Sequence, residues 1–121
     1  LVTRHDFLIV EGAGGLLVPL AAKRTNIDLI RACRLPVLLV ARLGLGTINH
    51  TLLSLECLKA RKIVCVGVIL NQTTRSRGVA EETNPKVLAR LSESPILGIF
   101  PFFSRPDESD RENCPQKGHD H

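Results

Sequence analysis

Residues 36–70 read PVLLVARLGLGTINHTLLSLECLKARKIVCVGVIL. PVLLVA is an unbroken apolar run opened by a proline, with the length and character of a strand covered on both faces. Arg42 to Gly46 is a loop. From Thr47 to about Lys59 the residues Ile48, Leu52, Leu55 and Leu58 fall at helical spacing. Ile63 to Leu70 is apolar again and rich in β-branched residues. Strand, helix and strand in this order predict parallel strands joined by a helical crossover, because an antiparallel pair needs only a short turn.

The same alternation continues on either side. Toward the C-terminus, Asn71 to Glu82 is expected to be polar loop, Thr83 with Pro85 in the first turn to start a helix ending near Leu91, and Pro95 to Ile99 to form a short last strand. Toward the N-terminus, Val2 to Val10 is expected to be a first strand, broken by Gly12 to Gly15. Leu16 to Ala22 is expected to be extended, because Pro19 removes a backbone donor. Thr25 or Asn26 then caps a short helix with Asp28 in its first turn and Ile27, Ile30 and Cys33 on its buried stripe, stopped by Pro36. The expected architecture is an α/β fold, doubly wound with a mostly parallel sheet, over residues 1–103. Residues 104–121 are polar and are expected to be a disordered tail.

The bulk properties fit one compact domain. The chain has 121 residues, 44% of them apolar. No run is long and apolar enough for a membrane span and no secretory leader is visible, so a cytoplasmic location is expected. Cys33, Cys57, Cys65 and Cys114 form no CxxC pair, and the first three are expected to be reduced and packed. Of the 16 basic and 12 acidic residues, the tail holds three and five, which leaves the first 103 residues with a basic excess. That excess suits phosphate ligands or a solvated basic face. Four Phe and no Tyr or Trp argue against nucleic acid. The chain contains no methionine and begins at Leu1, as expected for a segment of a longer protein.

In an open parallel sheet, ligands sit beyond the carboxyl ends of the strands. Four loops lie there. In VEGAGG, residues 10–15, Glu11 ends a strand where a carboxylate can reach a hydrated Mg²⁺, and Gly12, Gly14 and Gly15 let backbone N–H groups approach anionic oxygens; a simple turn with an incidental acid is the alternative. LGLGTINHT, residues 43–51, places two glycines before a helix start, which is either an anion site or an ordinary capped helix. His50 is expected to be a surface residue, since no partner is spaced with it for catalysis or metal binding. Asn71 follows GVIL and can offer a donor and an acceptor to a purine edge, or make a turn. The Phe pair of PFFS can border a flat ring or close the core.

VEGAGG with LLVPL, then LPVLLVA, LGTINHT, GVILN and LGIFP, in this order from about Phe7 to Glu108, resembles the ATP-dependent dethiobiotin synthetases. These are homodimers of doubly wound subunits of the P-loop NTPase type. They form a carbamate from 7,8-diaminononanoate and CO₂, phosphorylate it with MgATP, and close a ureido ring. The resemblance implies that Glu11 is a Mg²⁺ ligand and that Glu11, Gly12, Ala13 and Gly14 lie beside the ATP phosphates. It implies that Asn71 and Gln72 read the adenine, that Pro101, Phe102 and Phe103 border it, and that Glu108 makes a further nucleotide contact. Leu45, Gly46, Thr47, Ile48 and Asn49 correspond to the helix start that receives the substrate carboxylate across the dimer interface.

The chain departs from that family in one respect. It has no GxxxxGK[ST], so the phosphate-cradling loop and the family's catalytic lysines have no counterpart, and no catalytic residue is assigned. The expectation is the C-terminal half of such a synthetase, incomplete at the N-terminus of its fold and inactive alone. The alternatives are a non-catalytic dimerisation or nucleotide-binding module, or a related amidating synthetase or partition ATPase.

Overall fold

The computed structural model describes residues 4–75 and 77–103. Its elements in chain order are β1 (Pro19–Ala21), β2 (Arg24–Thr25), α1 (Asn26–Cys33), β3 (Val37–Leu43), α2 (Thr47–Ala60), β4 (Cys65–Gln72), α3 (Val79–Leu91) and β5 (Ile96–Phe100). The strands β3, β4 and β5 form one sheet in that order, and both pairings are parallel. The helices α2 and α3 are the two crossovers, so the expected parallel α/β class is what the chain adopts. A short antiparallel hairpin leads into α1: β1 falls within the segment expected to be extended, Leu16 to Ala22, and β2 lies beyond it.

The core sits on one face of the sheet. Leu43, Val68, Leu70 and Leu88 are fully buried together, and Leu39, Ala41, Ile48, Leu52, Leu55 and Ile96 pack around them. Both α2 and α3 contribute to this cluster, so both described crossover helices cover the same face. Strand side chains alternate, and the opposite face shows it: Leu38, Val40 and Leu97 are all exposed. The expectation that PVLLVA is covered on both faces is therefore corrected. Among the described residues β3 has one covered face, with the alternating burial of a one-sided strand.

Other boundaries move for local reasons. Phe7 to Val10 is not a strand; Phe7, Ile9 and Val10 are exposed, and the segment pairs with no strand among the described residues. Apolar character favours a strand only when a neighbour supplies the ladder. β4 runs on through Asn71 and Gln72, expected to be loop, because Leu43 pairs with Gln72 and Asn71 with Phe100. α3 begins at Val79, before the expected Thr83, since the Glu81 carboxylate accepts a hydrogen bond from the Gly78 N–H at 2.9 Å and fixes the first turn there. Pro85 then lies inside the helix.

α1 starts as expected. The Asp28 carboxylate accepts from the Thr25 N–H at 2.9 Å and from the Thr25 hydroxyl at 3.1 Å. These bonds, the backbone one first, hold the Asp28 pKa below its ordinary value of 3.8. Ile27 is buried, but Cys33 is exposed, which corrects its place on the buried stripe. Cys33, Cys57 and Cys65 are free thiols. The expected tail at 104–121, with Cys114, lies outside the described residues. No helix among the described residues is long and apolar enough to cross a membrane.

Candidate functional site

The carboxyl ends of the three parallel strands align. Arg42 pairs with Asn71 and Asn71 with Phe100, which puts the ends of β3, β4 and β5 in one row. The glycine loop joins this end beside β3. Gly14, Gly15 and Leu16 share a cleft of about 230 Å³ with Leu39 to Arg42 of β3 and with Thr47, His50, Thr51 and Ser54 of α2. The end of the first glycine stretch and the first turns of α2 thus meet in one cavity.

The glycine loop is held by a side chain whose expected role is only that of a helix cap. Asn26, 3% exposed at the first turn of α1, donates from Nδ2 to the Ala13 and Gly15 carbonyls, each at 2.8 Å. The loop needs its glycines for this approach. A Cβ on Gly12 would stand 3.1 Å from Asn26 Cγ, and Gly14 has a φ of +78°, which side chains rarely adopt. Among the described residues the N–H groups of Gly12 to Gly15 donate to no acceptor.

The start of α2 is built the same way. Gly46 is the N-cap with a φ of +90°, and the Thr47 N–H donates to the Gly44 carbonyl at 3.3 Å. Thr47 is buried, and its hydroxyl pairs with that of Thr51 at 3.2 Å. Ile48 and Asn49 have no acceptor for their N–H groups among the described residues, so the positive end of a 14-residue helix remains open. Leu45 is 84% exposed, Asn49 is exposed, and Ile48 packs its side chain on the core. A second buried asparagine holds this loop: Asn84 of α3 donates to the Gly44 carbonyl at 2.7 Å. His50 is exposed at the cleft wall, as expected, with its ring turned toward Gly46.

The remaining expected residues divide. Glu11 is exposed and makes no hydrogen bond or ion pair with the described residues. No group of three or more His, Cys, Asp or Glu that could hold a metal occurs among them. A single carboxylate suits a Mg²⁺ whose other ligands are phosphate oxygens and water. Asn71 is half-buried, with its amide unengaged among the described residues. Gln72 is buried and already committed: Nε2 donates to the Thr74 carbonyl at 2.8 Å, and Oε1 accepts from Arg77 Nε at 2.8 Å. Pro101, Phe102 and Phe103 are exposed beyond β5, with the Phe103 ring 5.6 Å from that of Phe100. The register therefore brings Asn71 and this aromatic segment together, while the glycine loop and α2 meet in the cleft beside β3. Glu108 lies outside the described residues.

A family model described as an AAA domain matches residues 1–108. The chain belongs to this AAA-domain family. Within it, the chain is 46% identical to the ATP-dependent dethiobiotin synthetase of Anaeromyxobacter sp. (strain K) over 84% of its length and 46% of that protein's. It is 48% identical to the dethiobiotin synthetase of Thermodesulfovibrio yellowstonii, over 84% of the chain and 45% of the relative. The Bacillus velezensis enzyme is 47% identical, over 81% of the chain and 42% of the relative. This AAA-domain chain is thus a relative of the dethiobiotin synthetases, as its motifs implied. It spans about half the length of the curated relatives it matches.

Proposed function

We propose that this chain is the C-terminal half of an ATP-dependent dethiobiotin synthetase, a cytoplasmic homodimeric ligase of biotin synthesis. The observation that carries the reading is one cleft lined by Gly14 and Gly15 of VEGAGG and by Thr47 and His50 at the start of α2, in a chain 46% to 48% identical to enzymes of that name. The open N–H groups of Gly12 to Gly15 face ATP phosphate oxygens, and Glu11 supplies one carboxylate to Mg²⁺, which offsets the phosphate charge. The open N-terminus of α2, with Leu45 to Asn49, receives the carboxylate of 7,8-diaminononanoate, whose amine takes up CO₂. Asn71 offers its free amide to the adenine, with Pro101 to Phe103 alongside and Glu108 a further nucleotide contact. Gln72 supports this indirectly, by fixing the loop that follows β4.

These 121 residues contain no GxxxxGK[ST], and this favours a second reading for the chain by itself, a nucleotide-binding or dimerisation module without turnover. Two observations decide between them. The coding sequence upstream of Leu1 is expected to hold a strand followed by GxxxxGK[ST]. The complete protein is expected to release ADP only when diaminononanoate and bicarbonate are both present. ADP release that ignores this pair overturns the synthetase reading and points to an amidating synthetase or partition ATPase on the same fold.

A further inference from the structure

We infer that Asn26 is a positioning residue of the nucleotide site, holding the glycine loop by its carbonyls so that the loop's N–H groups stay open toward an anion. The inference rests on the synthetase reading for the identity of that anion. Asn26 is the first residue of α1 and 3% exposed. Its own N–H donates to the Val18 carbonyl at 3.1 Å, and the next N–H, of Ile27, donates to that of Leu16 at 2.9 Å, which stitches the helix start to the turn between the loop and β1. The side chain then reaches back across the chain. Both Nδ2 hydrogens are used, on Ala13 and Gly15, on either side of Gly14.

The amide is not arranged for stability alone. Asn26 Oδ1 is buried and accepts no hydrogen bond among the described residues, pressed against Gly12, where even a Cβ would come within 3.2 Å. A buried acceptor without a donor is a cost, and such costs in folded proteins collect at functional sites. The two carbonyl bonds fix which way the amide faces, so Oδ1 cannot turn away without breaking them. A neutral donor is also the suitable grip here. A lysine or arginine would hold the carbonyls but place a charge that competes for the anion, while aspartate would present oxygens to oxygens.

Asn26→Asp separates the two roles of the residue. It conserves volume, and a carboxylate at the first turn of a helix favours α1 through the helix dipole. It removes both donors to the loop. In the full-length enzyme, Asn26→Asp is expected to raise KM for MgATP about 10- to 100-fold, the scale of a small misplacement at a distance from the chemistry. KM for diaminononanoate is expected to stay within about twofold, because the start of α2 is held by Asn84 instead. Backbone 15N order parameters of Gly12 to Gly15, measured by NMR relaxation, are expected to fall in Asn26→Asp while α1 keeps its amide protection. An unchanged KM for MgATP together with unchanged order parameters in the loop overturns the inference, as does a variant whose only defect is a lowered thermal midpoint. If the wild-type enzyme shows no diaminononanoate-dependent turnover, the synthetase reading falls, and the order-parameter comparison alone then decides whether Asn26 holds the loop.

Discussion

Asn84 and Leu88 stand one turn apart on the buried face of α3, and truncating each to alanine should cost very different amounts. Leu88 is fully buried within the cluster of Leu43, Val68 and Leu70, so Leu88→Ala leaves a cavity and costs about 2–5 kcal/mol. Asn84→Ala removes the donor 2.7 Å from the Gly44 carbonyl. That carbonyl is not orphaned, because it keeps the Thr47 N–H at 3.3 Å. The loss is then about 1–1.5 kcal/mol, the net worth of one hydrogen bond rather than a desolvation penalty. Alanine's better helix propensity returns at most about 0.7 kcal/mol. The net expectation is a destabilisation of about 0.3–1.5 kcal/mol, below the low end of the range for Leu88→Ala. Urea unfolding followed by far-UV circular dichroism measures both, with m unchanged from wild type. An Asn84→Ala cost equal to that of Leu88→Ala would mean that Thr47 does not satisfy Gly44. A cost of zero, with the loop at residues 44–46 unaltered by NMR, would mean that the asparagine does not hold it.

Gly12→Ala should drive a Cβ to 3.1 Å from Asn26 Cγ and break its two loop bonds, costing about 1–3 kcal/mol, whereas Gly15→Ala meets nothing within 4 Å and should stay within about 0.5 kcal/mol of wild type; chemical denaturation of both variants checks the contrast. Gln72→Ala removes the amide that ties Thr74 and Arg77 to the end of β4, so limited trypsin digestion should cut after Arg75 and Arg77 faster than in wild type, with other sites unaffected. The Asp28 pKa is lowered in the fold by the Thr25 N–H, so its contribution is present above the ordinary value of 3.8 and lost as pH falls through the lowered folded value. The gap in thermal midpoint between wild type and Asp28→Asn should therefore be widest near neutral pH and close in acid below 3.8.

The sheet and its crossovers are legible in the sequence because one physical cause writes them. Leu39, Ala41, Leu43, Val68 and Leu70 face one layer, and Ile48, Leu52 and Leu55 answer from α2 at helical spacing. What fails is what depends on partners far along the chain. Phe7 to Val10 has the composition of a buried strand, yet strand formation needs a neighbour's N–H and C=O groups, which no local pattern reports. Asn71 and Gln72 look like loop because they are polar. They remain strand because Leu43 on one side and Phe100 on the other extend the pairing past them.

The site divides along the same line. Its glycines and helix start are visible in VEGAGG and LGLGTINHT, but the groups that shape them are not, since Asn26 reads as a cap and Asn84 as an ordinary helix residue. Their partners lie 11 and 13 residues away in one case and 40 in the other. Yet the choice of asparagine follows from the task. A glycine loop has no side chains by which to be held, and if its N–H groups are to remain open for an anion, only its carbonyls can be gripped. The grip must donate, be short enough to reach the main chain from a packed helix, and carry no charge to rival the ligand. Among buried side chains the carboxamide meets all three conditions, and each of the two glycine loops at this cleft is held by one.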